Sequence, residues 1–176
     1  GGYPKAKMIN KKLASVAEEF NLPFGLGSQR AMLKDPSLSE TYMVRDVAPN
    51  IPIIGNIGAV QLKEYPPDVI EDLVSKVEAD AMAVHLNPLQ ELVQPEGDRD
   101  FSGVLRAIER LVASLSVPVI VKETGAGISR SVAKALRNIG VSYVDVSGAG
   151  GTSWSKIEEK RGGSKGFGDW GIPTAI

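Results

Sequence analysis

The sequence contains no cysteine among its 176 residues. Disulfides, thiolate nucleophiles and cysteine-ligated metals are therefore excluded, and a reducing, cytoplasmic setting is expected. Only one residue, His85, is a histidine, which argues against a zinc site built on several imidazoles. The net charge is only −1, so no overall basic field indicates nucleic acid or an anionic membrane as a partner. No apolar run approaches the roughly 20 residues of a membrane span.

Five short apolar segments, bounded by glycine or proline, predict buried parallel strands. They are PFGLGS (23–28), PIIGNIG (52–58), AMAVHLN (81–87), PVIVKETG (118–125) and YVDVSGAGG (143–151). Amphipathic stretches between them predict helices over 9–20, 67–79, 103–115 and 129–140. In the last of these, Ser129 is the expected N-cap and Gly140 the expected residue just past the end. This alternation of strand and helix is typical of βα units.

Each strand ends in polar residues, and the two-residue period of a strand places them on one face. The predicted faces carry Phe24, Leu26, Ser28 and Arg30; Ile54, Asn56 and Gly58; Ala81, Ala83, His85 and Asn87; Ile120, Lys122 and Thr124; and Tyr143, Asp145 and Ser147. Convergence of such groups is typical of the mouth of a (β/α)8 barrel, and neither GLGSQR (25–30) nor GAGG (148–151) is a GxGxxG dinucleotide motif.

We therefore predict an α/β fold of the (β/α)8 TIM-barrel type. Residues 1–176 would form a single partial barrel domain that contains the middle five βα units and is truncated at both ends. An open five-stranded sheet is the competing interpretation.

The segment HLNPLQE concentrates four polar side chains where the third strand ends: His85, Asn87, Gln90 and Glu91. A carboxylate beside neutral amide and imidazole groups suits Mg²⁺ held through waters, with the amides on phosphate oxygens. A structural histidine and a solvated loop glutamate are the alternative interpretation.

Lys122 lies within an apolar run, where a lysine is costly unless it is paired or functional. It is expected to form an ion pair with Glu123 or Asp145, to form a Schiff base, or to place positive charge beside an anionic cofactor ring. Ser28 and Arg30 offer a hydroxyl and a guanidinium suited to phosphate, or Arg30 is simply a surface residue. The glycine-rich GAGGTSW (148–154) is expected to approach a ligand closely, and 156–171 is expected to be a mobile lid.

These motifs resemble type 2 isopentenyl-diphosphate isomerase, the flavin-dependent family. The resemblance rests on NLPFGLGSQRAML, PIIGNIGA, HLNPLQELVQPEGDRDF, VPVIVKETGAGIS, VDVSGAGGTSWSKIEEKR and FGDWGIPT, which cover nearly the whole chain. It implies an FMN-binding barrel that interconverts isopentenyl and dimethylallyl diphosphates in isoprenoid biosynthesis. The flavin is reduced, with NADPH as the expected reductant, and the enzyme is a homo-oligomer, a tetramer or an octamer.

The resemblance also implies roles for individual residues. Ser28, Asn56, Lys122 and Thr152 would contact FMN, and Glu91 would bind Mg²⁺. Arg30, His85, Asn87 and Gln90 would bind the substrate, with Gln90 and His85 as catalytic residues.

Of the family's GMTGG strand end, only Gly1 and Gly2 are present. The basic first segment and the FMN-phosphate loops of the family have no counterpart in these 176 residues, so the chain by itself is expected to bind FMN poorly and to be inactive. Two other functions stay open. One is a hydroxy-acid oxidase-like FMN barrel; the related IMP dehydrogenase type would need a catalytic cysteine. The other is an inactive barrel fragment with only a structural role.

Overall fold

A computed structural model describes residues 1–175 and contains one sheet of five parallel strands in the order β1–β2–β3–β4–β5. The strands are β1 (Phe24–Gly25), β2 (Ile53–Gly58), β3 (Ala81–His85), β4 (Val119–Lys122) and β5 (Tyr143–Asp145). Each lies within a predicted segment, and every neighbouring pair is parallel. The prediction of five parallel strands is therefore confirmed.

Residues 1–175 contain seven α-helices: α1 (Pro4–Glu19), α2 (Arg30–Lys34), α3 (Pro67–Val77), α4 (Pro88–Val93), α5 (Val104–Ser114), α6 (Arg130–Asn138) and α7 (Trp154–Lys160). Two 3₁₀ helices span Pro36–Thr41 and Ala59–Lys63. The four predicted helices are α1, α3, α5 and α6. Ser129 caps α6 by accepting a hydrogen bond from the Val132 N–H, and Gly140 follows it with a φ of +92°.

The hydrophobic core lies on one face of the sheet. Ile53, Ile57, Met82, Val84 and Val121 point into it and are almost fully buried. Right-handed connections between consecutive neighbouring strands place every crossover helix on the same side. The other face is therefore the one that is free to line a site.

Strand register decides which residues lie on this uncovered face. Residues paired across parallel strands share a face, and Ile54, Ala81, Asn56 and Ala83 follow the predicted alternation. The predicted alternation of β1 is wrong, because Gly25 pairs with Ile54 while Phe24 pairs with buried Ile53. The polar strand-end residues of β2 to β5 nevertheless lie on one face, as expected.

The prediction of a (β/α)8 TIM barrel is wrong for this chain. Residues 1–175 form an open half-barrel of five strands, in which β1 and β5 are the two edges. The sequence pattern misled because any parallel sheet in consecutive order gathers its polar strand ends at one edge, whether or not it closes. The prediction that the chain is the middle of a barrel, truncated at both ends, has no support in this structure, and the competing open sheet is confirmed.

The sheet is well covered in the middle and bare at one edge. β3 is buried along most of its length, whereas all three residues of β5 are exposed, Tyr143 by 57%. Across residues 1–175 there is also no helix whose length and apolarity would suffice to cross a bilayer.

Candidate functional site

The carboxyl ends of β1, β2 and β3 open onto a cleft of about 770 Å³. Four of the predicted site residues line it: Ser28, Arg30, His85 and Glu91. The lining also includes Lys34, Val60, Gln61, Glu64, Glu96 and Asp98. The cleft is therefore a polar depression with basic residues from one element and acidic residues from others.

The basic side of the cleft comes from α2. This helix begins at Arg30, and Lys34 lies four residues later, so both side chains project from the same helical face. Within residues 1–175, neither forms an ion pair, although seven other ion pairs are present. Two uncompensated cations one turn apart suit a ligand with several anionic oxygens.

The acidic side is organised around Glu91. Asn87 adopts a left-handed conformation (φ +37°) just before α4, and its Nδ2 donates to Glu91 Oε1 at 3.0 Å. The backbone N–H of Asp98 donates to Glu91 Oε2 at 2.8 Å. Gly97 makes this loop closure possible, because a Cβ there would overlap the Glu91 backbone. The Glu91 carboxylate is thus held in one position while it still lines the cleft.

His85 lies at the end of β3 and is oriented by Asn56. The Asn56 Nδ2 donates to the Leu26 carbonyl oxygen at 3.0 Å, which turns Asn56 Oδ1 toward His85 Nδ1, 2.8 Å away. His85 Nδ1 is therefore the protonated nitrogen, and Nε2 carries the lone pair. Burial, and next the positive charge of Lys122, lower the pKa of His85 to about 4, so the imidazole is neutral at pH 7.

Two predicted substrate residues do not line this cleft. Asn87 is buried behind Glu91, where it supports the carboxylate. Gln90 turns toward α7, where its Nε2 donates to Glu158 Oε1 at 3.4 Å. Glu158 is only 4% exposed and also accepts from Arg161 Nη1 at 2.6 Å. Gln90 is therefore in contact with a buried carboxylate that the sequence analysis did not single out.

Lys122 and Thr152 meet at a second region, beyond β4 and β5. Together with Gly125, Gly150 and Trp154 they line a cavity of about 380 Å³. Lys122 also borders a cavity of about 340 Å³ on the uncovered face of the sheet, with Asn56, Gly25, Ala83 and Ile120. In the part of the chain that the structure describes, the Lys122 ammonium has no carboxylate partner and donates to the Glu123 carbonyl oxygen.

His85 connects the two regions. It contacts Asn56 through Nδ1, and it pairs in register with Lys122 on the adjacent strand. The structure therefore distributes the nine predicted site residues over one strip along the carboxyl edge of the sheet.

Sequence reasoning missed Lys34, Gln61 and Glu158. Lys34 had a usable signal, since it stands four residues after Arg30. Glu158 also had a signal. Ser153 is a typical N-cap residue and begins α7, and Arg161 stands three residues after Glu158, a spacing at which the two side chains form an ion pair on a helix. The prediction of a loop over 156–171 is wrong for its first part, which belongs to α7, and the role of this segment as a mobile lid stays a prediction.

No group of three or more histidine, aspartate or glutamate side chains is placed to hold a metal within residues 1–175. A metal at Glu91 would have to take most of its ligands from substrate and water. This is the usual coordination of Mg²⁺, which keeps waters and binds one or two carboxylates together with phosphate oxygens.

The fold and the cleft together define a parallel α/β protein with a charged cleft at the carboxyl ends of its strands. The comparisons with known proteins are more specific. The chain is 50% identical over 191 residues to the isopentenyl-diphosphate delta-isomerase of Pyrococcus abyssi, covering 100% of the chain and 52% of the relative. The enzymes of the same name are 51% identical over 183 residues in Synechocystis sp. and 50% identical over 185 residues in Methanococcoides burtonii.

The latter two matches cover 99% of this chain and 52% and 51% of the relatives, respectively. The chain thus spans about half the length of the curated relatives it matches. No family model matches the chain.

Proposed function

We propose that this chain contributes the diphosphate-binding part of an isopentenyl-diphosphate isomerase site of the type 2, FMN-dependent kind. The proposal combines the names of the relatives with the chemistry of the cleft. The observation that carries it is that two cations without an ion-pair partner in the described part of the chain, Arg30 and Lys34, line one cleft with the fixed carboxylate of Glu91.

A diphosphate explains why both signs of charge line the same space. The basic side would hold phosphate oxygens, with the Arg30 guanidinium able to contact two of them at once. The acidic side would repel the same anion unless a cation lay between them. A Mg²⁺ ion bridging Glu91 and the diphosphate removes this repulsion and matches the preferred ligands of the metal.

The region around Lys122 fits FMN. Gly25 and Ala83 contribute little side-chain bulk to the cavity on the uncovered face. Lys122 and Asp145 both line it, and the Lys122 ammonium forms no ion pair within residues 1–175. Asn56 and Thr152 would supply further polar contacts, whereas Ser28, the other predicted FMN contact, lines the diphosphate cleft. When bound, reduced flavin would supply the electron-rich ring for the chemistry, and a nearby lysine stabilises its negative charge.

The isomerisation moves a double bond, so one carbon gains a proton and another loses one, with no net redox change. Gln90 and His85 are the residues that we propose for this part of the site. Gln90 is held by the buried carboxylate of Glu158, which places a titratable group in direct contact with it. His85 would donate to the diphosphate only when its Nε2 is protonated, because its Nδ1–H is used by Asn56.

The test is titration calorimetry of the chain with isopentenyl diphosphate, with and without Mg²⁺. We expect Mg²⁺-dependent binding that is lost in an Arg30→Ala, Glu91→Gln double variant. Conversion to dimethylallyl diphosphate in the presence of FMN and NADPH would extend the proposal to catalysis. Absence of Mg²⁺-dependent binding, or binding unchanged in the double variant, would overturn it. NADPH as reductant and the homo-oligomeric state stay predictions.

A further inference from the structure

Two glutamines are buried beside the cleft, and they differ in how their amides are satisfied. Gln29 is fully buried, and its amide is used at both ends: Oε1 accepts from the Asn56 N–H at 2.9 Å, and Nε2 donates to the Leu73 carbonyl oxygen at 3.3 Å. Gln61 is 8% exposed, yet within residues 1–175 its amide forms no hydrogen bond. Its amide atoms are not sealed from the cleft, because within residues 1–175 the side-chain polar atom that is buried without a partner is Glu123 Oε1.

The Gln61 amide points into the cleft. It belongs to the 3₁₀ helix Ala59–Lys63, whose residues Ala59, Val60 and Leu62 are buried with it, and it lines the cleft together with Arg30 and His85. The side chain is therefore largely covered, and its amide is left at the cleft without a hydrogen-bond partner from residues 1–175.

The amide also lies next to the reactive side of His85. Gly58 ends β2 and pairs in register with His85. A Cβ added to Gly58 would overlap Gln61 Oε1 and come within 3.0 Å of His85 Nε2. The Oε1 end of the Gln61 amide and the free ring nitrogen of His85 therefore border the same small volume, with the Nε2 donor of the same amide next to Oε1, and glycine at position 58 leaves room for both.

An anion bound in the space between Gln61 and His85 needs a hydrogen-bond donor there. The Nδ1–H of His85 is engaged by Asn56, so the neutral ring presents a lone pair from Nε2, which a phosphate oxygen would not approach. Arg30 and Lys34 supply positive charge from α2, which begins after β1. Among the residues that line the cleft beside β2 and β3, Gln61 has a neutral side-chain amide whose N–H groups can donate at any pH.

We propose that the Gln61 amide donates a hydrogen bond to an oxygen of the bound diphosphate, beside His85. This inference rests on the proposed function, because it assumes that the cleft binds a diphosphate. It adds a substrate-binding residue from the element that follows β2.

The experiment measures the affinity of the chain for Mg²⁺–isopentenyl diphosphate at pH 7.5 by titration calorimetry, together with the melting temperature. Gln61→Met keeps the length of the side chain and removes the amide, and we expect about tenfold weaker binding with an unchanged melting temperature. Gln61→Glu replaces the donor by an anion, and we expect a loss larger than that of the methionine variant. Gln94→Met is the matched control, because Gln94 does not line the cleft, and it should bind as the wild type does.

The outcomes separate this inference from the proposed function. If the wild type binds and Gln61→Met binds equally well, the role of Gln61 is wrong and the proposed function stands. A lower melting temperature with unchanged affinity would assign Gln61 a purely structural role. If Gln61→Met fails to fold, Gln61→Glu decides: wild-type affinity contradicts the inference, and a large loss in a folded variant supports it. If the wild type binds no diphosphate, both proposals fall.

Discussion

The two polar regions at the carboxyl edge of the sheet differ in how firmly the chain holds them. In the cleft beside β1 to β3, the carboxylate of Glu91 is fixed by Asn87 and by the Asp98 backbone, and His85 is fixed by Asn56. Around Lys122 and Thr152, the strand behind the site is exposed and the lining loops are rich in glycine.

The two regions are therefore expected to bind their ligands in different ways. The cleft is organised before a ligand arrives, so substitutions there should change affinity through single contacts. In the region near β5, Gly125 and Gly150 have φ values of +133° and +137°, a backbone conformation that residues with a side chain rarely adopt. The backbone of this region can approach a flat ligand closely, and each single contact there should contribute less to affinity than a contact in the cleft does.

The largest effect is expected for Glu91→Gln. Loss of the carboxylate removes the bridge between metal and diphosphate, which should cost about a hundredfold in kcat/KM and weaken the Mg²⁺ dependence of binding. The measurement is a Mg²⁺ titration of isopentenyl diphosphate binding and turnover. Glu64→Gln is the control, since Glu64 also lines the cleft but is not held by Asn87 or Asp98; it should change affinity by less than about threefold. An unchanged Mg²⁺ midpoint in Glu91→Gln would make Glu91 a solvated charge and the metal assignment wrong.

A smaller effect is expected on the basic side of the cleft. Arg30→Ala should raise the Kd of isopentenyl diphosphate about thirtyfold, because a charge-assisted hydrogen bond contributes about 2 kcal/mol. Lys34→Ala should raise it only severalfold, since a single ammonium cannot make paired contacts. Calorimetry at two salt concentrations checks both, and equal losses for the two variants would contradict the special role of Arg30.

The pH dependence of diphosphate binding shows whether His85 takes up a proton when the ligand binds in the cleft. In the free chain its pKa is lowered to about 4 by burial and by Lys122, so it is neutral at pH 7. If the imidazolium donates to the diphosphate, binding must take up a proton, and the Kd should rise by up to about tenfold for each pH unit from about 4 up to the pKa of the bound imidazolium. Binding enthalpies in two buffers of different ionisation enthalpy give the number of protons.

The control for this experiment is His85→Asn, which cannot titrate and reports the pH dependence of the ligand itself. Equal proton uptake by the wild type and by this variant would show that His85 stays neutral when the diphosphate is bound.

The sequence predicts where the strands and helices lie better than it predicts whether the sheet closes into a barrel. Apolar runs bounded by glycine and proline locate all five strands, and Ser129 and Gly140 mark both ends of α6 because capping is a local property. Whether the sheet closes depends on how many strands exist and how they stagger, which local patterns do not encode. The alternation of β1 fails for a related reason, since Phe24–Gly25 is too short for a two-residue period to be reliable.

The candidate site is predictable in its residues but not in its contacts. The chemistry of HLNPLQE is visible in the sequence, whereas the support of Glu91 by the Asp98 N–H depends on a loop that folds back over α4. Likewise, Gln90 and Glu158 are 68 residues apart and meet only through the packing of α4 against α7. Contacts of this kind follow from tertiary structure and leave no periodic signal.

The smallest effect is expected at Lys122, in the region that the chain holds less firmly. Lys122→Met removes a positive charge that borders the uncovered face of the sheet. An ammonium near an anionic ring stabilises the reduced flavin more than the oxidised form, so its removal should lower the reduction potential. For an interaction of about 1 kcal/mol, the preference for reduced FMN falls about fivefold, which is on the order of 20 mV for a two-electron couple. The potential of FMN bound to the chain, measured by dye equilibration, checks this value. Lys34→Met is the matched control, because it removes a cation from the cleft and should weaken diphosphate binding without moving the potential. A shift of equal size in both variants would mean that the two regions respond to net charge alone, and the division between a diphosphate cleft and a flavin surface would then be wrong.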